Sequence, residues 1–276
     1  MKKKLVADSS ANLISLEGIE ISYAAMKVCA GQEEYTDTPE LDVQQMMQGL
    51  SSYKGKSSSA CPSVDEWLEA FGDADEVYAV SITSNLSGAY NSACVAAEQY
   101  EAAHPGRRVF VLDSLSTGPE MELILEKYHE LIANGLDFAQ IKQRIQEYIK
   151  RTHLWFSLES LATLAKNGRV SPAVAKIAGL LGIRIVGRAS AEGTLEPLHK
   201  ARGEQKALKQ LFESMKEMGY RGGKVRLSHT FNEAGAAKLK EMIESLFPAA
   251  DIKIRVNGGL CSYYSEMGGI LVGFES

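Results

Sequence analysis

The sequence lacks a long apolar run, paired cysteines and a surplus of positive charge, and each absence excludes something. No uninterrupted apolar stretch approaches the roughly 20 residues of a membrane-spanning helix. The opening Met1-Lys2-Lys3-Lys4 resembles the start of a secretory signal, but Leu5-Val6-Ala7 runs straight into Asp8, far too short for its apolar core. The four cysteines, Cys29, Cys61, Cys94 and Cys261, are scattered with no C-x-x-C pair. They read as reduced thiols of a cytoplasmic protein rather than a disulfide framework. Lys and Arg number 30 against 35 Asp and Glu, a formal charge of -5. Without surplus cations to displace phosphate counterions, a general nucleic-acid binder is disfavoured. The five histidines (His104, His129, His153, His199 and His229) fall at no metal-ligand spacing. A G-x-S-x-G elbow, a Walker A loop and a G-x-G-x-x-G fingerprint are all missing. Asp8 is not followed by the second Asp that an aspartyl phosphatase needs; Ser10 stands there.

What is present is an ordinary globular composition, 45% hydrophobic and 24% charged over 276 residues, enough for one large domain or two modest ones. Strand patterns at Leu5–Ala7, Val77–Val80 and Val109–Leu112 alternate with helical patterns at Leu41–Leu50, Val64–Phe71 and Gly88–Ala103. One or two strands lie within Ile19–Ala30 before a polar turn at Gly31-Gln32-Glu33, and two helices run through Arg151. This alternation predicts a parallel sheet with covered faces. Beyond Trp155 the texture changes. Leu158–Ala165 reads as helical, Asn167-Gly168-Arg169 breaks it, and Ala173–Leu181 is strongly apolar. Arg184–Arg188 and Leu195–Lys200 flank a turn as a hairpin. Helices over Glu204–Met218 and Glu233–Phe247 and strands at Lys224–Ser228, Ile252–Val256 and Ile270–Phe274 complete the chain. The expected fold class is therefore two-domain α/β: a parallel-sheet, Rossmann-like domain over residues 1–155, and a second α/β domain with mixed or antiparallel pairing over 156–276.

Three strand ends of the first half share one texture: Asp8-Ser9-Ser10, Thr83-Ser84-Asn85, and Asp113-Ser114 with Ser116-Thr117-Gly118. In a doubly wound sheet such carboxyl ends lie along one edge, at the crevice where ligands bind. A strand-to-helix turn also exposes helix N-terminal amides that suit an anion, although Ser87 in this segment reads equally as a plain N-cap. A fourth cluster, Ser57-Ser58-Ser59 with Ser63, precedes a helix. Hydroxyls with one or two guanidiniums are chemistry for holding an anion rather than for turning one over.

These segments, taken in order, resemble the DegV family along nearly the full chain. Asp8-Ser9-Ser10-Ala11-Asn12-Leu13 is similar to its opening D-S-T-A-D-L. Ser59-Ala60-Cys61-Pro62-Ser63 is similar to T-S-Q-P-S, and Thr83-Ser84-Asn85-Leu86-Ser87-Gly88-Ala89-Tyr90 to S-S-G-L-S-G-T-Y. Leu158-Glu159-Ser160-Leu161 with Asn167-Gly168-Arg169-Val170 resembles L-E-Y-L and G-G-R-I, and Arg202-Gly203 with Lys206-Ala207-Leu208 resembles R-G-x-x-K-A-L. The resemblance implies a long-chain fatty acid held between two α/β domains and presented to a separate ATP-binding fatty acid kinase subunit, with no catalytic residue, metal or cofactor in this chain. It places Ser59 and Ser84 on the carboxylate, with Thr83 beside them. Arg169 stands either near the head group or in solvent, and Arg202 on the surface, where it is a candidate to face a partner. His229 reads as a core or edge histidine. The family's H-T-G-P-G histidine is replaced, counting back from Phe274, by Tyr264, and the second cation of its R-G-R motif by Glu204. The run Val174, Ile177, Leu180, Leu181 and Ile183, with the small Ala173, Ala175, Ala178 and Gly179, lines a tunnel or forms an ordinary buried helix. Two rival readings stay open: a hydrolase or phosphotransfer enzyme using Asp8, Ser84 or Asp113, and a scaffold without ligand.

Overall fold

The apolar runs that end on hydroxyls become a parallel sheet. The computed structural model describes residues 1–12, 14–174 and 182–276. Its first half contains β1 (Lys3–Asp8), β2 (Ile21–Ala24), β3 (Lys27–Ala30), β4 (Glu33–Thr36), α1 (Val43–Ser52), β5 (Ser57–Ala60), α2 (Val64–Phe71), β6 (Glu76–Ser81), α3 (Ala89–Ala103), β7 (Arg108–Asp113), α4 (Pro119–Ala133) and α5 (Phe138–Tyr148). Strands β2, β1, β6 and β7 pair in that order, all parallel. Every residue of β6 is buried, as a central strand covered on both faces requires. The Ser-x-x-Glu signal before α2 is a capping box between Ser63 and Glu66. A separate antiparallel sheet, β4-β3-β5, lies beside this core.

The second half contributes β8 (Thr152–Leu158), α6 (Ala162–Lys166), β9 (Ile183–Ala189), β10 (Leu195–Arg202), α7 (Glu204–Glu217), β11 (Val225–His229), α8 (Glu233–Leu246), β12 (Ile252–Val256), α9 (Gly259–Ser265) and β13 (Ile270–Glu275). They build a six-stranded mixed sheet ordered β10-β9-β8-β13-β11-β12, in which the expected β9–β10 hairpin is antiparallel. The helical reading of Leu158–Ala165 is corrected. Residues 152–158 are a strand whose alternation puts Leu154, Phe156 and Leu158 on one face, and only Ala162–Lys166 is helical. The division expected after residue 155 falls within β8. Of the apolar run, residues 175–181 lie outside the described residues. Ala173 is exposed, whereas Val174 and Ile183 pack against the cluster that holds Leu154 and Phe156.

Helix α4 joins the halves, touching β1 and β6 on one side and β13, β11 and β8 on the other. A Cβ on Gly273 of β13 would stand 2.6 Å from the Pro119 and Glu120 backbone, so strand and helix approach closely only with glycine there. The three acidic residues that α4 buries, Glu120, Glu122 and Glu126, all find partners. Arg226 of β11, 1% exposed, donates to both oxygens of Glu126 (2.9 and 2.6 Å) and to Asp251 (2.9 Å). Lys253 reaches Glu126 at 2.7 Å and Arg255 reaches Glu122 at 2.8 Å. Glu120 instead accepts from two hydroxyls, Ser116 (2.5 Å) and Thr152 (2.7 Å).

Candidate functional site

The strand-end hydroxyls hold the turns together. Asp8 is wholly buried; it accepts from the Ser10 N–H (3.0 Å), the Ser10 hydroxyl (2.5 Å) and the Ile82 N–H (2.6 Å). Burial pushes its carboxyl up to about 6. Ser9 Oγ donates to Asp37 and accepts from the Met26 N–H, both at 3.0 Å. Asp113 accepts from the backbone of Ser84 (3.2 Å) and Leu115 (3.0 Å). Thr83 is buried and its hydroxyl accepts from the Asn85 N–H (3.3 Å), while the Ser84 side chain is exposed. Asn85 reaches the Glu192 carbonyl of the β9–β10 turn at 2.5 Å.

Between the two halves lies a cavity with about 670 Å³ of atom-free space, part of it open to solvent. Leu154, Phe156 and Leu158 of β8 face it as successive members of one strand face, and Leu271 of β13, paired with Phe156, extends that wall. Leu164 and Leu195 close the second-half side, and Met26, Ile82 and Leu86 come from the first. Helix α9 presents Cys261, Tyr264 and Ser265 to it at i, i+3 and i+4, the spacing of one helical face.

The polar groups converge on Tyr264. Its O–H meets Ser59 Oγ at 2.7 Å, and the Arg169 guanidinium lies 5.8 Å from its ring centre. Arg169 donates to the carbonyls of Leu86 (3.2 Å) and Asn167 (2.6 Å). Among the described residues no carboxylate pairs with it, and it is the one described lining residue with a charge. Burial raises the Tyr264 pKa, with the Ser59 hydroxyl and Arg169 opposing, so the phenol stays a neutral donor. Ser57 and Ser59, two apart on β5, turn inward together; Ser57 accepts from the neighbouring Tyr263 O–H at 2.8 Å.

Of the residues singled out in the sequence, Ser59, Arg169 and Tyr264 are brought together here. Thr83 and Ser84 are not: the tight turn that caps Asp113 points Ser84 to solvent and packs Thr83 under Gly193. From the same segment it is Ser87 that lines the cavity, and from the Ser116-Thr117-Gly118 cluster it is Thr117. Arg202 is exposed at the end of β10. His229 is buried, its ring accepts from the Asn232 N–H (3.2 Å), and burial lowers its pKa. Neither lines the cavity. Ser87 and Thr117 line the cavity without having been singled out as ligand residues; the signal available for both was their place in the hydroxyl clusters at the strand ends.

The described lining offers hydroxyls, one phenol and one guanidinium, all hydrogen-bond donors. Burial pushes the Cys261 thiol up to about 12, so no thiolate nucleophile is available near neutrality. Asp8 and Asp113, needed by the enzyme reading, are held by turn amides and do not line the cavity. The described residues contain no group of three or more His, Cys, Asp or Glu side chains placed to hold a metal ion. No described helix is long and apolar enough to cross a membrane.

The model of the DegV family matches residues 2–275. A DegV domain-containing protein of Streptococcus gordonii is 39% identical over 279 residues, covering 100% of this chain and 99% of its own. A DegV family protein from Eubacterium eligens, solved loaded with heptadecanoic acid, superposes with a TM-score of 0.97 at 44% identity, covering 99% of each chain. The Streptococcus pneumoniae Fatty Acid Kinase (Fak) B3 protein, solved loaded with linoleic acid, superposes with a TM-score of 0.97 at 39% identity, over 100% of this chain and 99% of that one. Sequence order, sheet topology and these likenesses agree: the chain belongs to the DegV family.

Proposed function

We propose that this chain is a non-catalytic carrier that holds a long-chain fatty acid in the cavity between its halves and presents the carboxylate to a separate kinase subunit. The observation that carries the reading is an apolar cavity whose one described charge, Arg169, lacks a carboxylate and stands beside the Ser59–Tyr264 pair. Arg169 is half-buried with no carboxylate beside it among the described residues, and a ligand carboxylate would supply the counter-charge. In this reading residues 1–155 contribute Ser59 and Ser87 to the head group, and residues 156–276 contribute Arg169, Tyr264 and most of the tail wall. The two relatives solved with heptadecanoic and linoleic acid support the ligand class, and the kinase named for one of them supports the partner. Four free cysteines fit a cytoplasmic location.

The energetics divide the labour. About 15 buried methylenes at ~0.8 kcal/mol each would contribute on the order of 10 kcal/mol before ordering costs. Each hydrogen bond to the charged head group adds about 1–3 kcal/mol. The tail therefore sets affinity and the head group sets orientation. With a neutral phenol at Tyr264 where the family carries a titratable imidazole, compensation of a carboxylate or acyl phosphate falls mainly to Arg169.

Calorimetric titration with palmitate or oleate tests the head-group assignment. Ser59→Ala is expected to weaken binding by about 1–2 kcal/mol, and Ser84→Ala, outside the cavity, to leave it unchanged. A loss in Ser84→Ala matched by none in Ser59→Ala would overturn the assignment.

A further inference from the structure

The Asp8-Ser9-Ser10 strand end contributes no residue to the cavity lining, yet it leads to a buried carboxylate with a different task. Asp37, in the loop after β4, is 1% exposed. Its two oxygens accept from the Gly259 N–H (2.6 Å), the Leu260 N–H (3.0 Å) and Ser9 Oγ (3.0 Å). Its own N–H donates to the Met26 carbonyl (2.8 Å), and the Met26 N–H returns to Ser9 Oγ (3.0 Å). All three groups on the carboxylate are donors, which suits the ionised form, an acceptor only. Burial pushes the Asp37 carboxyl above its ordinary value while these same donors oppose that push.

The two amides it holds are those of the first turn of α9, the element that carries Tyr264. Helix α9 is seven residues long and its preceding residue, Gly258, provides no side-chain cap. The cap therefore comes from 222 residues earlier in the chain. A Cβ on Gly259 would stand 2.9 Å from Asp37 Oδ1 and 2.6 Å from Leu41, so the glycine is what lets the carboxylate reach these amides. One turn on, Tyr264 meets Ser59 at 2.7 Å beneath Arg169.

We infer that Asp37 is a positioning residue for head-group recognition: by fixing the first turn of α9 it sets where the Tyr264 hydroxyl stands relative to Ser59 and Arg169. The inference rests on the carrier reading above. Asp37→Asn keeps the shape but replaces one accepting oxygen by a donor, which would face an N–H or O–H and let the turn shift. A shift of α9 disturbs the carboxylate contacts and leaves the wall built by β8 in place.

The test compares palmitate with hexadecanol, which shares the tail and lacks the carboxylate, by titration against the full chain, with thermal unfolding as a check on folding. The unmodified protein should prefer the acid. Asp37→Asn should lose about tenfold in acid affinity, the scale of one charge-assisted hydrogen bond, while binding the alcohol as before. Ser9→Ala should do the same more weakly, and it decides the question if Asp37→Asn does not fold. Variants that retain the acid preference, or that lose both ligands equally, overturn the positioning role alone. An unmodified protein that binds neither ligand overturns the carrier reading and this inference with it.

Discussion

Arg226→Met is expected to lower the unfolding free energy by about 3–5 kcal/mol, the range for breaking a buried ion pair by removing one partner. The guanidinium is 1% exposed and bridges Glu126 of α4 to Asp251 before β12. Methionine fills much of its volume, so the loss is electrostatic: Glu126 would keep Lys253 but lose its bidentate partner in a buried site. Exposed pairs such as Lys238–Glu241 on α8 should be worth no more than about 0.5 kcal/mol by the same measurement. Urea unfolding with an unchanged slope reads both. A loss below about 1 kcal/mol for Arg226→Met would show that the cluster does not fasten the two halves in the way its geometry implies.

Glu120→Gln should raise stability at alkaline pH, with a gain that vanishes in acid. Burial pushes the Glu120 carboxyl from its ordinary 4.5 up to about 7, against the opposing hydroxyls of Ser116 and Thr152. Between those values the folded chain holds a proton that the unfolded chain has released. Stability therefore falls as pH rises from the ordinary carboxyl value to about 7 and then levels off. Glutamine holds no such proton, and both hydroxyls can reorient, one donating to its oxygen and one accepting from its nitrogen. The variant should thus gain on the order of 3 kcal/mol over the unmodified chain by about pH 8, and little near pH 4. Asp8, raised in the same sense, is common to both proteins and cancels in the difference. Parallel pH profiles for the two proteins would contradict the assignment.

The parallel sheet was legible because its strands are apolar runs that end on polar turns, and central burial leaves such runs almost uninterrupted. Strand β5 was not legible, since Ser57-Ser58-Ser59-Ala60 carries no apolar alternation and pairs only through β3. Helix α9 was hidden for a related reason: its cap lies on a distant loop, so no local start signal precedes it. At the site, Arg169 and Tyr264 were singled out by position in family motifs, and the cavity brings them together with Ser59. Ser84 and Ser87 are three residues apart in one turn. Which of them faces the cavity depends on how that turn wraps Asp113, a tertiary matter that no spacing rule reports. The cavity wall from β8 was obscured because a short apolar stretch near Trp155 reads as strand or helix alike.

The carrier reading is tested most directly by mass spectrometry of small molecules released from the purified, denatured protein. A long-chain fatty acid at close to one per chain is expected, or its stoichiometric uptake when palmitate or oleate is added to a stripped sample. Extracts free of any acyl species, from a folded protein that also takes up neither added acid, would contradict it.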